Sequence, residues 1–493
     1  MSRQKVASNE DNSGIEQGHI PINADIVPMT MTEKQPQWLP DISRRTGPRY
    51  RAIAAALQDD IGSGALPIGA KLPTHRDLAW RLGVTVGTVT RAYAEAERGG
   101  LIGGEVGRGT FVRDPRPAEA PVDNTGIIDL SVNASAQHPN EERLRQALVQ
   151  LAARSDLSGL MHYPPVNGSV RHRQAGAAWI EQTTGMAVDP ALVLPTAGGQ
   201  NAMHLALAAI TRPGDSLLVE SLSYPAVKPL AGLLDLRLVP VAMDGEGLLP
   251  EALEQAARAH GAHALYCMPR LHNPTTVTQG PARRQAVLDA CRRAGILVVE
   301  DDVYGFLASA TTSGWSPLAA LDPERVLFLT SLSKNLMPGL RTGFLLCPPA
   351  LMDRVRTLLR ATLLGVNPLG AELSAEFILS GAALDSAAQR RALVAERQAQ
   401  ARRLLPGVPS DPACPHLWLS LPEPWRREDF ARALISRGVR ITPADAFAVA
   451  RGDTPHAVRV CIGGVERTDV LEQGLRTLAN LLAEPAAMGD SFV

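Results

Sequence analysis

The residues with the clearest capacity for covalent chemistry surround Lys334, in the segment SLSKNLMPGLRTGF at 331–344. This segment follows RVLFLT, a hydrophobic run typical of a buried strand. Ser331 and Ser333 precede the lysine closely, and Arg341 follows it. A lysine amine condenses with carbonyl compounds when its surroundings favour the neutral form. The alternative is a surface lysine whose stem lies along the core.

Further polar or glycine residues follow predicted strands elsewhere in the chain. AGILVVEDDVYGFL predicts a strand buried on both faces of a parallel sheet, and its carboxyl end carries Asp301 and Asp302. ALYCMPRLHNPTT predicts a strand ending at Asn273, and DSLLVESLSYPAV predicts one followed by Tyr224. VLPTAGGQNAMHLALAAI places a Gly-Gly turn before a helix, whose first N–H groups suit a phosphate.

Each of these features also has an ordinary structural explanation. Gly-Gly turns are common, an Asp at a strand end often caps a helix, and Asn-Pro usually forms a turn. Together, however, a lysine, a carboxylate, an aromatic ring and a phosphate-binding turn suit pyridoxal phosphate. The lysine forms a Schiff base with it, the acid pairs with its pyridinium nitrogen, and the ring withdraws electrons.

The elements that position these residues belong to the longer part of a multidomain chain. A length of 493 residues exceeds one ordinary domain. Strands alternate with helices over residues 127–480, which predicts a doubly wound α/β domain. The composition predicts a disordered tail at 1–40, a compact block at 41–112, a linker at 113–126 and a short tail at 481–493.

The block at 41–112 has the pattern of a winged helix-turn-helix. Thr74 precedes Asp77 by three residues and predicts a capping box, Gly83 predicts a tight turn, and Thr85 can cap a second helix. LIGGEVGRGTFV then predicts a hairpin, the wing. Residues 41–113 contain eleven Arg and Lys against seven Asp and Glu, a balance of +4. This basic surface favours double-stranded DNA as a partner, although a winged helix can also serve protein contacts alone.

The overall composition excludes several other classes of protein. Hydrophobic residues make up 45% and charged residues 20%, as in a globular protein, and the net charge of −1 favours no polyanion. Five scattered cysteines without a Cys-x-x-Cys pair predict no metal site and no disulfide framework, and indicate a reducing cytoplasm. The sequence also lacks a signal-peptide pattern and an apolar run long enough to span a membrane.

The first block resembles the winged-helix DNA-binding domain of the GntR family, through LPTHRDLAWRLGVTVGTVTRAY and GRGTFV. One departure is Val86, where many relatives carry an arginine, and this change alters the expected operator preference. A valine there can instead pack on a thymine methyl group. The resemblance implies DNA contacts from Arg76, Thr85, Thr88, Thr90, Arg91 and Arg108.

The second block resembles a fold-type I aminotransferase, with SLSKNLMPGLRTGF matching that family's lysine signature. The whole chain therefore resembles a MocR-type regulator. This implies an α+β winged helix-turn-helix domain, an α/β pyridoxal phosphate-dependent transferase domain and a smaller α+β C-terminal lobe. One departure is Thr276, which replaces the glycine of Asn-Pro-Thr-Gly and is expected to change a loop rather than the chemistry.

The resemblance to aminotransferases also implies a role for each site residue. Lys334 would carry the Schiff base, and Asp301 would pair with the pyridine nitrogen. Arg459 would bind a substrate carboxylate, with a surface ion pair as its alternative. The remaining cofactor contacts would be Tyr304 and Asn273 at the phenolic oxygen, Tyr224 against the ring, Gly198, Gly199, Gln200, Ser331, Ser333 and Arg341 at the phosphate, and Tyr163 at the phosphate of a neighbouring subunit, unless Tyr163 serves packing alone.

Two functions are compatible with this reading. The first is a cytoplasmic, homodimeric transcription regulator whose aminotransferase-like domain senses pyridoxal phosphate, an amino acid or another amine through an aldimine at Lys334. The second is an active aminotransferase that carries a DNA-binding domain. The winged helix favours the regulator, because an enzyme has no use for Arg76 and Arg91. The sequence leaves open the effector, the operator, the direction of regulation and whether transamination occurs.

Overall fold

The structure, a computed structural model, describes residues 38–43, 45, 47–67, 69–98, 101–105, 109–112, 126–134, 141–308, 315–409, 411–450 and 454–484. The chain divides into two compact units, Met1–Pro117 and Ala118–Val493. Most of the expected N-terminal tail and of the expected linker at 113–126 lies outside the described residues, as do most of the C-terminal tail and Arg108.

The first unit is a winged helix-turn-helix, as predicted. Thr74 caps the second helix by accepting a hydrogen bond from the Asp77 amide, and Gly83 ends that helix with a φ of 61°. Thr85 Oγ1 accepts from the Thr88 amide at 3.2 Å, at the start of the third helix. The elements are α1 Arg49–Gly62, α2 His75–Leu82, α3 Val86–Arg98 and the antiparallel strands β1 Ile102–Glu105 and β2 Gly109–Val112.

The apolar positions of these elements meet in one core. α1 is buried at Ile53, Ala56 and Leu57, and Ile61 packs against the same cluster. Tyr93 is buried and donates to the carbonyl of Pro73 at 3.0 Å, which joins α3 to the segment before α2. The helix-turn-helix is therefore held by long-range packing as well as by its caps.

The second unit alternates strands and helices. Its helices are α4 Glu141–Ala152, α5 Val170–Thr184, α6 Gly199–Ile210, α7 Val227–Leu233, α8 Pro250–His260, α9 Pro281–Ala294, α10 Leu318–Leu321, α11 Met352–Leu363, α12 Pro368–Leu379, α13 Ala382–Leu404, α14 Arg427–Ser436 and α15 Thr468–Ala483. Its strands are β3 Ile128–Asp129, β4 Val193–Thr196, β5 Ser216–Glu220, β6 Arg237–Val241, β7 Met243–Asp244, β8 Gly247–Leu248, β9 Ala264–Cys267, β10 Leu297–Asp301, β11 Val326–Ser331, β12 Gly343–Leu346, β13 His416–Ser420, β14 Val439–Arg440, β15 Thr442–Pro443 and β16 Ala457–Cys461.

Seven of these strands form the central sheet, in the order β4-β12-β11-β10-β9-β5-β6. β12 runs antiparallel to β11 and β4, so the sheet is mixed, and the other neighbouring pairs are parallel. The six strands other than β12 share one direction, and their carboxyl ends lie at one edge. That edge is where doubly wound sheets bind ligands.

A smaller α+β lobe follows the central sheet. β13, β16 and β15 form an antiparallel sheet, and β3 pairs in parallel with β14. The lobe has its own hydrophobic core, which includes Leu130, Phe430 and Leu475. The segment that opens the second unit therefore packs with the part of the chain that closes it.

The predicted strand before Asn273 is shorter than expected. β9 ends at Cys267, and Asn273 lies in the loop that follows. Pro269 and Pro274 lack the N–H groups that a central strand needs, so the ladder cannot continue through this segment. Thr276 adopts a φ of 67°, a region that favours glycine, so the substitution in Asn-Pro-Thr-Gly leaves a glycine-like backbone in place.

Candidate functional site

Lys334 lies in the turn after β11, at the ligand-binding edge of the sheet. Its side chain is half-buried, and its Nζ donates a hydrogen bond to the carbonyl of Asn133. Burial lowers the pKa of Lys334, and the nearby cations Arg459 and Arg341 lower it further, although Cys461 acts in the opposite direction. A lowered pKa increases the fraction of neutral amine, which is the nucleophilic form.

Several hydrogen-bond donors suited to a phosphate group lie around the start of α6. Gly198 has a φ of 88°, and a Cβ built on it would lie 2.9 Å from Nη2 of Arg341. Ser331 Oγ lies 3.1 Å from Ser333 Oγ beside the same turn, and a Cβ on Gly199 would contact Ser331 at 3.4 Å. The first turn of a helix presents N–H groups that have no partner within the helix. Backbone, hydroxyl and guanidinium donors therefore converge where glycines keep the space open.

The two adjacent aspartates at the end of β10 have different partners. Asp301 is buried, its Oδ2 accepts from the Tyr266 hydroxyl at 2.8 Å, and its Oδ1 accepts from the Val303 amide at 3.2 Å. Asp302 forms a two-point ion pair with Arg270, whose Nε lies 2.9 Å from Oδ1. Burial raises the pKa of Asp301 to about 7, and it raises that of Asp302 against the effect of Arg270. Asp302 is thus engaged by Arg270, which supports Asp301 as the acid that meets a pyridine nitrogen.

Arg459 and Asn273 are brought together although they are distant in sequence. Arg459 Nη1 donates to Asn273 Oδ1 at 2.8 Å, and its Nη2 donates to the carbonyl of Ser131 at 2.6 Å. The guanidinium carbon lies 4.7 Å from the centre of the Phe447 ring. Arg459 is 7% exposed, so it is not the surface ion pair of the alternative explanation. Its remaining hydrogens are available to a carboxylate.

The other predicted cofactor contacts differ in how deeply their side chains are buried. Tyr304 is buried and accepts from Asn133 Nδ2 at 2.9 Å. Tyr224 is half-buried after β5, and burial and the charge of Asp301 raise its pKa. Gln200 is exposed in the first turn of α6. Tyr163 is 85% exposed and stays a prediction that concerns a second subunit.

The chemistry and spacing of these residues fit pyridoxal phosphate. A buried carboxylate, a phosphate-binding turn and a lysine lie at one edge of the sheet, and a Cβ on Gly198 would obstruct the turn. Asn273 also fits its predicted role, because Arg459 occupies its Oδ1 and leaves Nδ2 to donate to a phenolic oxygen. The roles assigned to individual residues stay predictions.

Sequence reasoning missed three residues of this site. Asn133 bonds to Lys334, Tyr304 and His416, but it follows a two-residue strand that has no recognisable pattern. Tyr266 and Arg270 hold the two aspartates from the neighbouring strand and its loop. A polar tyrosine within the buried run ALYC was the one available signal.

The predicted DNA-binding residues lie on the helix-turn-helix. Arg76, Thr85, Thr90 and Arg91 are exposed, and Thr88 is half-buried. Arg91 stacks on Tyr50, with its guanidinium carbon 4.1 Å from the ring centre. Thr90 Oγ1 lies 3.2 Å from His75 Nδ1, so this hydroxyl already has a partner within the domain. Trp80, 83% exposed on α2, is a further large side chain that the sequence did not single out.

Comparison with known families matches both units. Residues 49–112 match bacterial regulatory proteins of the gntR family, and residues 125–475 match aminotransferase class I and II. The second match covers more than half of the chain. This chain belongs to the aminotransferase class I and II family, joined to a GntR winged helix in the MocR-type arrangement. The MocR-type chain is therefore a DNA-binding transcription regulator with an aminotransferase-like domain.

Relatives named as transcriptional regulators align with most of the MocR-type chain. The uncharacterized HTH-type transcriptional regulator YdeF of Bacillus subtilis is 30% identical over 92% of this chain and 99% of its own length. The vitamin B6 salvage pathway transcriptional repressor PtsJ of Salmonella typhimurium is 28% identical over 86% of this chain and 96% of its own length. The HTH-type pyridoxine biosynthesis transcriptional regulator PdxR of Corynebacterium glutamicum is 27% identical, over 78% and 85%.

Solved structures agree on the fold of the second unit. The Pyrococcus horikoshii kynurenine aminotransferase is 24% identical, with a TM-score of 0.67 over 73% of this chain and 91% of that chain. The Thermus thermophilus α-aminoadipate aminotransferase LysN is 25% identical, with a TM-score of 0.64 over 73% of this chain and 92% of that chain.

The aminotransferase family and these regulators imply pyridoxal phosphate as the cofactor of the MocR-type chain. Among the described residues, no helix is long and apolar enough to cross a membrane.

Proposed function

We propose that this regulator senses an amino compound, or pyridoxal phosphate itself, at Lys334 and that occupancy of this site changes its affinity for DNA. The observation that carries the proposal is the position of the Lys334 amine, at the same sheet edge as the phosphate-binding turn and the Arg459–Asn273 pair. When bound, pyridoxal phosphate supplies an aldehyde that condenses with amines. The names of PtsJ and PdxR make the cofactor itself a candidate effector.

The residues of the chain provide a selective site for an amino acid. Arg459 has hydrogens left to bind a carboxylate, and the lowered pKa of Lys334 favours exchange of its amine for that of the effector. A ligand shifts a conformational equilibrium only through different affinities for the two states. Condensation of the Lys334 amine with the cofactor would remove it from its bond to the Asn133 carbonyl, and an effector amine that takes over the cofactor would free Lys334 again, which gives such a difference.

We further propose a homodimer that acts in the cytoplasm. Met161 and Tyr163 are 84% and 85% exposed, and Leu364 is 53% exposed. The segments that contain Tyr163 and Leu364 are neighbours, since a Cβ on Gly365 would lie 2.8 Å from the Pro164 side chain. An exposed apolar surface of this kind favours a protein partner. A second copy would carry a second winged helix, and the spacing of DNA half-sites would follow from the dimer.

The proposal is tested by one spectroscopic and one DNA-binding measurement on the full-length protein. With added pyridoxal phosphate, the wild type is expected to show a visible absorbance band that Lys334→Ala lacks. An effector is expected to shift this band and to change affinity for the chain's own promoter region, with the reciprocal effect of DNA on effector affinity. A wild type without the band, or without affinity for that DNA, contradicts the proposal.

A second candidate function is aminotransferase activity. Asp301, which accepts a hydrogen bond from Tyr266 and is the predicted partner of a pyridine nitrogen, favours it, because such an acid is needed chiefly to make the ring an electron acceptor. The distinguishing measurement is formation of a keto acid from an amino acid in repeated turnovers. Turnover that depends on Lys334 and Asp301 would establish the enzyme, and binding without turnover would leave the sensor.

A further inference from the structure

Asn133 connects three parts of the cofactor site. It follows β3 and is 7% exposed. Its carbonyl accepts from Lys334 Nζ, and its Nδ2 lies 2.9 Å from the Tyr304 hydroxyl and 2.9 Å from His416 Nδ1. The backbone of Asn133 therefore lies beside the Lys334 amine, which an effector amine would replace, and its side chain contacts Tyr304 and His416.

The orientation of the Asn133 amide follows from the tautomer of His416. His416 Nε2 faces the carbonyl of His272 at 3.3 Å, and a carbonyl only accepts, so Nε2 carries the hydrogen. Burial lowers the pKa of His416 well below its usual value, so the ring is neutral and Nδ1 accepts. Asn133 must then present its NH2 group to His416, which directs its Oδ1 away.

The Asn133 Oδ1 atom is buried and has no hydrogen-bond partner within the part of the chain that the structure describes. Asn133 lines a narrow cavity together with Lys334, Tyr304 and Arg390. Buried polar groups without a partner are rare in proteins, and those beside a binding site often await a ligand group or an ordered water.

We infer that Asn133 is a specificity-determining residue, and that its Oδ1 accepts a hydrogen bond from a hydroxyl group close to the amino group of the effector. This inference rests on the proposed sensing function. An amide oxygen selects for a donor, which an ionised carboxylate lacks. An effector with a second ammonium group in place of the hydroxyl would be repelled by the positive charge of Arg390, which lines the same cavity. A hydroxyl group, in contrast, can donate to Asn133 and accept from Arg390.

The test compares amines that differ by one hydroxyl group. The full-length protein loaded with pyridoxal phosphate is titrated with serine against alanine, and with threonine against 2-aminobutyrate, following the absorbance band. The hydroxylated member of each pair is expected to bind about 10-fold more tightly to the wild type. Asn133→Ala is expected to reduce the preference to less than about 2-fold while it still responds to alanine. Gln146→Ala, which removes an exposed amide on α4, is the control and keeps the preference.

The outcomes separate this inference from the proposed function. Equal affinities within both pairs, with a band that still responds to amines, overturn the role of Asn133 and leave the sensing function intact. A preference that persists in Asn133→Ala also overturns it. A band that responds to no amine counts against both. Because equal affinities in the wild type would overturn the inference without any variant, it stays falsifiable even where Asn133→Ala does not fold.

Discussion

Arg459 Nη1 and Asn273 Oδ1 form a hydrogen bond of 2.8 Å across 186 residues of sequence. The bond orients the Asn273 amide so that Nδ2 is left to donate toward the phenolic oxygen of a bound cofactor. In the proposed roles, a carboxylate bound to the remaining hydrogens of Arg459 would share one guanidinium with Asn273. Effector binding would thereby be linked to the electronic state of the cofactor through these two side chains.

This link predicts a selective effect of Arg459→Ala. Amino acids are expected to bind about 10- to 150-fold more weakly, because the variant lacks charge-assisted hydrogen bonds of about 1.5–3 kcal/mol to the carboxylate. Amines without a carboxylate are expected to retain their affinity within a few fold. The measurement is absorbance titration of the cofactor-loaded protein with matched amine and amino acid pairs. An equal loss for both classes would show that Arg459 acts only on the cofactor.

The Arg270–Asp302 pair predicts a strong dependence of stability on both partners. Both side chains are nearly fully buried, so Arg270→Met leaves a buried carboxylate without its cation, at a cost of about 3–5 kcal/mol. The double variant Arg270→Met with Asp302→Asn is expected to be more stable than Arg270→Met alone. Denaturant unfolding followed by circular dichroism measures these differences. Arg145→Met, which removes an exposed ion pair on α4, is the control and should cost at most about 1 kcal/mol.

The lowered pKa of Glu372 predicts that the folded protein loses stability in acid. His172 Nε2 lies 2.8 Å from its Oε1, Arg154 Nη1 lies 2.7 Å from its Oε2, and these groups lower the pKa of Glu372 from 4.5 to about 2. A lowered folded-state pKa contributes stability above pH 4.5 that is lost as the pH falls toward 2. The excess stability of the wild type over Glu372→Gln should therefore shrink as the pH falls below 4.5. A difference that does not vary with pH in acid would contradict this assignment.

Gly198 predicts a steric limit on the phosphate-binding turn. An alanine there would place its Cβ 2.9 Å from Arg341 Nη2, on a backbone with a φ of 88°. We expect Gly198→Ala to weaken pyridoxal phosphate binding by at least about 10-fold, equivalent to about 1.4 kcal/mol. Gly185→Ala is the matched control, since its φ is 74° and no atom lies within 4 Å of the added Cβ. It should reduce stability by about 1 kcal/mol without a change in cofactor affinity.

The stacking of Arg91 on Tyr50 predicts a role for the ring in DNA binding. Arg91→Ala should weaken binding and reduce the slope of log affinity against log salt by about 1, as expected for one phosphate contact. Tyr50→Leu should weaken DNA binding less and leave the slope unchanged, because the Arg91 charge remains but no aromatic ring orients it. Tyr50→Phe retains the ring and should bind like the wild type. If Tyr50→Leu and Tyr50→Phe have equal effects, the stacking contributes nothing.

Local chemistry explains what was predictable about this protein. Thr74, Gly83 and Thr85 cap and terminate helices through contacts within a few residues, so their spacing was enough to predict the helix-turn-helix. The continuous apolar runs predicted the buried strands, and the order of strand and helix predicted the α/β domain. Lys334 and its flanking residues were recognisable because they lie within one short sequence signature.

Tertiary structure alone decided how the site is completed. The sequence predicted Asp301 as the acid, and only the structure shows that Asp302 is bound by Arg270, which approaches from the loop after a neighbouring strand. Asn133 reaches Lys334 across 201 residues because β3 pairs with β14 in the C-terminal lobe. Such contacts arise when chain segments far apart in sequence bury their surfaces against one another, and no local pattern records them. Sequence by itself therefore determined most of the elements and singled out Lys334 as the candidate Schiff-base lysine, and packing decided which side chains lie near it.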